Sequence, residues 1–161
     1  SIRIDHPEQL GSDLVVGAVA ALAEYPLPLV VIDMGTATTF SVLDAGGNYR
    51  GGSILPGVRV SLDSLVSHTA QLPRISFEAP TRTIAKNTVD SMKCGIVYGS
   101  AAMVDGMLDR MEEEMGQPLG AVATGAAAPS IIPHCRHKIQ YDETLPLKGL
   151  YRIYLKNRTV H

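Results

Sequence analysis

The sequence predicts one α/β domain built on a mixed β-sheet. Three observations predict it. Residues 29–33 read as a strand buried on both faces, a continuous apolar run from Leu29 to Ile32 that ends in Asp33. Two more strand-like stretches follow, joined by the glycine-bearing turn Asp44-Ala45-Gly46-Gly47-Asn48. Beyond Pro56-Gly57, helical and strand patterns alternate. The 161 residues suffice for one compact core. Apolar residues make up 45% and charged residues 19%, the balance of a globular rather than a disordered chain.

Taken in order, Gly11–Glu24 is rich in Ala and Val and reads as a buried helix. Tyr25-Pro26-Leu27-Pro28 ends it, because proline cannot continue a helix interior. Residues 29–33 are the first strand, 38–43 the second and 49–55 the third, an antiparallel meander. A helix follows over 58–72, with Val60, Leu62, Leu65 and Val66 at helical spacing. The stretch 73–87 reads as a loop with room for one short strand. Asn87 or Thr88 then caps a long helix over 88–115. Gly95, Gly99 and Gly106 each cost that helix about 1 kcal/mol against alanine, so a close-packed neighbour is expected there. Residues 119–125 form another strand, and 145–158 a closing amphipathic helix in which Tyr151 and Tyr154 are expected to pack. This order fits a ribonuclease-H-like unit.

The net charge of −2 gives no reason to expect nucleic acid or an anionic membrane as partner. No apolar run spans a bilayer, and no signal architecture opens the chain. Two cysteines outside any CxxC pair suit a cytoplasmic protein with free thiols. His134-Cys135-Arg136-His137 lacks a matching second ligand pair, so no zinc site is expected. Residues 109–115 read as a solvated helix face.

The chemistry concentrates at strand ends, where open α/β sheets bind ligands. Asp33 ends the first strand, and Gly35-Thr36-Ala37-Thr38 follows it. Either Asp33 caps a turn and the threonines simply favour strand, or the carboxylate holds a cation beside a loop that approaches phosphates. Gly51-Gly52 removes side chains where another backbone or a ligand comes close. Ala123-Thr124-Gly125 is a second strand ending in glycine. Asp13, after Gly11-Ser12, is either a helix cap or a general base for a hydroxyl. Asn87-Thr88 reads as a cap on its own.

Together these segments resemble a known family. The order HPEQLGSD (6–13), VVIDMGTATTF (30–40), GGNYRGGSILPG (46–57), TAQLPRI (69–75), KNTVDSMKCGIVYG (86–99), ATG (123–125) and LPLKGLYRIYLKN (145–157) resembles the type III pantothenate kinases over almost the whole chain. The resemblance implies the actin-like ATPase fold of the sugar kinase, heat-shock chaperone and actin superfamily. It implies transfer of the ATP γ-phosphate to pantothenate, the first step of coenzyme A synthesis, by a cytoplasmic homodimer. The cofactors implied are ATP with Mg²⁺ and a monovalent cation, K⁺ or NH₄⁺.

Carried over by position, Asp13 matches the proton acceptor, within a substrate-binding signature that falls on Gly11, Ser12, Asp13 and Leu14. Asp33 matches the monovalent-cation ligand, and Gly35 and Thr36 lie in the ATP-contacting loop. Gly125 lies near the nucleotide. Thr88 matches a pantothenate contact supplied across the dimer interface. Leu14 stands where the family has arginine, Ile4 where many members have tyrosine, and Ala126 where a second glycine is usual. Members also carry a first domain with a phosphate-gripping loop, so this chain is expected to be the C-terminal portion, with 1–25 as the connecting helix. Leu14 and Ile4 leave two other expectations open. One is a catalytically inactive, dimeric regulatory paralogue like the Bvg accessory factors. The other is an ATPase of the same superfamily acting on another small substrate.

Overall fold

The computed structural model describes residues 1–158. Helix α1 (Ser12–Glu24) precedes strands β1 (Leu29–Met34), β2 (Ala37–Leu43) and β3 (Tyr49–Pro56). Helices α2 (Val58–Ser67) and α3 (Thr88–Met115) lead to β4 (Gly120–Thr124). The short α4 (Ala128–Ile131), strand β5 (Gln140–Tyr141) and α5 (Leu145–Arg158) complete the order. The sheet runs β3-β2-β1-β4-β5. β1 is antiparallel to β2, and β2 to β3, whereas β1, β4 and β5 run parallel. The predicted meander and mixed sheet are both present.

Side-chain alternation splits the core in two. Val30, Ile32 and Met34 of β1 join Phe40 and Val42 of β2 beneath Val97, Val104 and Leu108 of α3. Leu29, Val31 and Leu43 pack on the other face with Ala18, Ala21 and Leu145 of α1 and α5. Asp44 closes the β2–β3 turn by accepting the N–H groups of Gly46 at 3.0 Å and Asn48 at 2.8 Å. At the crossing of α1 and α5, a Cβ on Gly149 would lie 2.0 Å from the Val16 carbonyl oxygen, so the helices touch backbone to backbone.

Asn87 caps α3, its Oδ1 accepting the Asp90 N–H at 2.9 Å, and Gly116 ends the helix in the left-handed region at φ 69°. The helix predicted over 58–72 stops at Ser67. There His68 N and Ser67 Oγ both donate to the Ser64 carbonyl, and Thr69 Oγ1 donates to that of Leu65. Local side chains thus take over the last turn's acceptors. Its core face is also narrower than predicted, with Val58 and Leu62 buried and Val60 and Leu65 exposed. The described residues 68–87 hold no strand. The expected neighbour of Gly95, Gly99 and Gly106 is not found among the described residues, where a Cβ at each would meet open space. Tyr151 and Tyr154 are exposed too, beside Leu147 and Leu150 on the outer face of α5.

One buried carboxylate ties this layer together. Asp142 Oδ2 accepts from Tyr25 Oη at 2.6 Å and Lys148 Nζ at 3.0 Å, while Oδ1 accepts from Thr144 N and Oγ1, each at 3.1 Å. Lys148 also reaches Glu24 at 2.8 Å. Burial works to raise the Asp142 carboxyl, but hydrogen bonds from Tyr25, Lys148 and Thr144 bring it below the ordinary carboxylate range. Its stabilising contribution is therefore full above the unfolded carboxylate pKa and is lost as pH falls through the lower folded value. Asp142→Ala should cost about 2–3 kcal/mol at neutral pH in urea unfolding, with the gap from wild type closing at acid pH. A pH-independent gap would contradict this account.

Candidate active site

Alternation along β1 sends Asp33 to the α1 face. There it lines a cleft with Asp13, Leu14 and Gly17 of α1, Thr39 and Ser41 of β2, and Thr124 of β4. The first turn of α1 supplies Asp13 and Leu14, with Gly17 one turn further on. Asp13 is not the helix cap: the N-cap is Gly11, without a side-chain hydrogen bond. Asp33 sits between two threonines at one level of the sheet, with Thr39 opposite on β2 and Thr124 on β4.

The electrostatics of this cleft are one-sided. Burial, and then the charge of Asp13, push the Asp33 carboxyl above its ordinary value. Among the described residues, no Lys or Arg lines the cleft. Thr39 Oγ1 is buried with no hydrogen-bond partner. The space left is about 10 Å³, room for one water-sized sphere. Two carboxylates and an orphaned hydroxyl are hard oxygen donors, a set that fits a cation.

The Gly35-Thr36 turn lies exposed beyond Asp33, at the carboxyl end of β1. Its backbone is clasped from both sides. Gly57 N donates to the Thr36 carbonyl at 3.1 Å, and Ala127 N to that of Met34 at 3.3 Å. Gly125, at φ 101°, lies so close that a Cβ would sit 2.6 Å from the Met34 carbonyl carbon. The two strand-end glycine motifs therefore form one exposed rim.

Asp13, Leu14 and Asp33 come together, and Gly35, Thr36 and Gly125 meet beside them. Gly11 and Ser12 are exposed at the start of α1. Thr88 lies apart, in a groove of about 560 Å³ with Leu65, Asn87, Met92 and Ile96 that shares no lining residue with the cleft. Sequence reasoning missed Thr39 and Thr124. Strand alternation and hairpin register could have found Thr39; Thr124 needs the parallel pairing of β1 with β4.

A family model described as type III pantothenate kinase matches residues 1–110. The chain belongs to that family. A type III pantothenate kinase of Rubrobacter xylanophilus is 46% identical over 96% of this chain. One of Anaeromyxobacter dehalogenans (strain 2CP-C) is 43% identical over 98%. The chain spans only 61% and 62% of those relatives' lengths. Among solved structures, a Baf family transcriptional activator from Campylobacter jejuni superposes with a TM-score of 0.60 at 22% identity, over 88% of this chain and 65% of its own. That likeness shows the fold alone, an α/β domain on a mixed sheet.

Proposed function

We propose that this chain supplies one wall of an ATP:pantothenate phosphotransferase. The observation that carries this reading is the meeting of Asp13 and Asp33 in one cleft beside the exposed Gly35-Thr36 turn. Asp13 orients the primary hydroxyl of pantothenate and accepts its proton. The hydroxyl oxygen bonds to the γ-phosphorus, the bond to the β–γ bridging oxygen breaks, and ADP leaves. The Thr36 N–H and the Gly125 rim face the phosphates, while the Gly35 N–H, given to the Ala37 carbonyl at 3.2 Å, holds the turn in shape. Asp33 with Thr39 Oγ1 holds a monovalent cation, K⁺ or NH₄⁺. Mg²⁺ bound with ATP neutralises phosphate charge when present.

The functional unit in this reading is a homodimer in the cytoplasm. The separation of Thr88 from the cleft within one chain supports it, since a partner's Thr88 could complete the substrate site. The open strip along Gly95, Gly99 and Gly106 supports it as well. Residues 1–25 would link to the part of the relatives that this chain does not match.

The test joins the chain to the unmatched portion of the Rubrobacter xylanophilus relative and follows ADP release with pantothenate. Pantothenate-dependent turnover supports the reading; ATP turnover indifferent to pantothenate overturns it. Leu14 brings an apolar side chain to a cleft that receives a polar substrate. In the same chimera, Leu14→Arg should lower KM for pantothenate by roughly tenfold, the worth of one charge-assisted hydrogen bond. An unchanged KM would point to another small substrate.

A further inference from the structure

We propose that Asp109, Glu112 and His137 form a binding site for a divalent transition-metal ion, with an open coordination position facing a cavity between α3 and residues 134–137. The three residues each present a ligand atom, and these atoms lie within 4.8 Å of one another. Asp109 and Glu112 stand one turn apart on α3, so both face the same side of the helix. His137 Nε2 is 2.6 Å from Asp109 Oδ1, and Nδ1 is 3.6 Å from Glu112 Oε1.

The surroundings hold these groups in place. Asp105, one turn before Asp109, accepts the backbone N–H groups of Arg136 at 2.7 Å and His137 at 3.0 Å. That fixes the segment carrying the imidazole. Glu112 Oε2 accepts the Leu119 N–H at 3.0 Å, which leaves Oε1 turned toward His137. Supporting hydrogen bonds of this kind orient metal ligands. The Asp109 side chain is largely exposed and free to adjust. Tetrahedral bonds of about 2.0–2.1 Å place ligand atoms roughly 3.3 Å apart, so a metal on Nε2 requires the 2.6 Å Asp109 contact to open and the imidazole to rotate until Glu112 Oε1, now nearest Nδ1, reaches the same ion.

The ligand chemistry selects the ion. One imidazole and two carboxylates suit Zn²⁺, Co²⁺ or Ni²⁺ better than Mg²⁺ or Ca²⁺, which favour oxygen alone. Cys135 is not part of the set, because its Sγ faces the Ala101 and Ile131 carbonyls. Three protein ligands leave a coordination position free, the pattern of open rather than closed zinc sites. Here Asp109 and His137 also line a cavity of about 630 Å³ with Thr83, Tyr98, His134 and Arg136. The short His-Cys-Arg-His run lacked a second ligand pair in sequence; α3 supplies it as carboxylates. The site shares no residue with the Asp13–Asp33 cleft.

The rival arrangement is a protonated His137 held between two carboxylates, which binds no metal. Calorimetric titration of the chain with Zn²⁺ separates the two, with Co²⁺ absorption as a second readout. One-site binding is expected. It should weaken at least tenfold in His137→Gln and in Asp109→Asn, and stay unchanged in Glu113→Gln, an exposed neighbour on the same helix. Circular dichroism checks each fold, and Asp109→Asn carries the test if His137→Gln unfolds. No saturable binding, or variants that bind like wild type, overturns the proposal.

Discussion

Asp13→Asn, in the chimera with the unmatched portion of the Rubrobacter xylanophilus relative, is expected to lower kcat for pantothenate phosphorylation by about 10²–10⁴-fold. Asparagine keeps the size of the side chain but cannot accept the substrate proton at neutral pH. The fold should be unaffected, because Asp13 makes no capping hydrogen bond in α1. The change also removes one of two like charges in the cleft, relieving the repulsion that helps raise Asp33. Stability should therefore hold or rise slightly while turnover collapses. A loss smaller than tenfold would remove Asp13 from the role of base and leave it a second charge beside Asp33.

The second large effect is structural. Gly52→Ala should destabilise the chain by about 3–5 kcal/mol in urea unfolding. Gly52 sits in β3 opposite Ser41, where an added Cβ would fall 1.7 Å from the Phe40 carbonyl oxygen and 2.8 Å from its carbonyl carbon. Phe40 is fixed in the core, so the strands must part. A domain with a total stability of about 5–15 kcal/mol loses a large share of it. Gly106→Ala is the contrast: its Cβ would meet no described atom of its own chain, and at concentrations where the chain is monomeric it should gain about 0.5–1 kcal/mol. Equal midpoints for the two variants would show that the β2–β3 contact is softer than its geometry.

What could be read from the sequence follows from the range of the forces involved. The start of helix α3 is legible because Asn87 acts within one turn of it; its stop at Gly116 is equally local, a left-handed glycine just past the last turn. β1 was visible because four consecutive buried residues leave no polar interruption. The overreach of α2 came from side chains that bond back to its own last turn, a competition hydropathy does not register. β5 is two residues long and exists through its pairing with β4, so no local signal marks it. The Asp13–Asp33 pair divides the same way. Each carboxylate was a candidate alone, but their meeting depends on how α1 lies across the sheet. That is settled by α5, more than a hundred residues downstream. The family resemblance supplied their roles; physical pattern supplied only their eligibility.

That dependence gives Gly149 a significance unlike that of a packing residue. It removes a side chain where α5 crosses the Val16 carbonyl, one helical turn beyond Asp13. The absent methyl acts as a shim. Its thickness sets how deeply α1 seats, and so how far the carboxylate on the helix stands from the one on the strand. Rate and cation affinity could then be retuned from outside the cleft by the bulk of one remote residue, without altering a single group that meets the substrate.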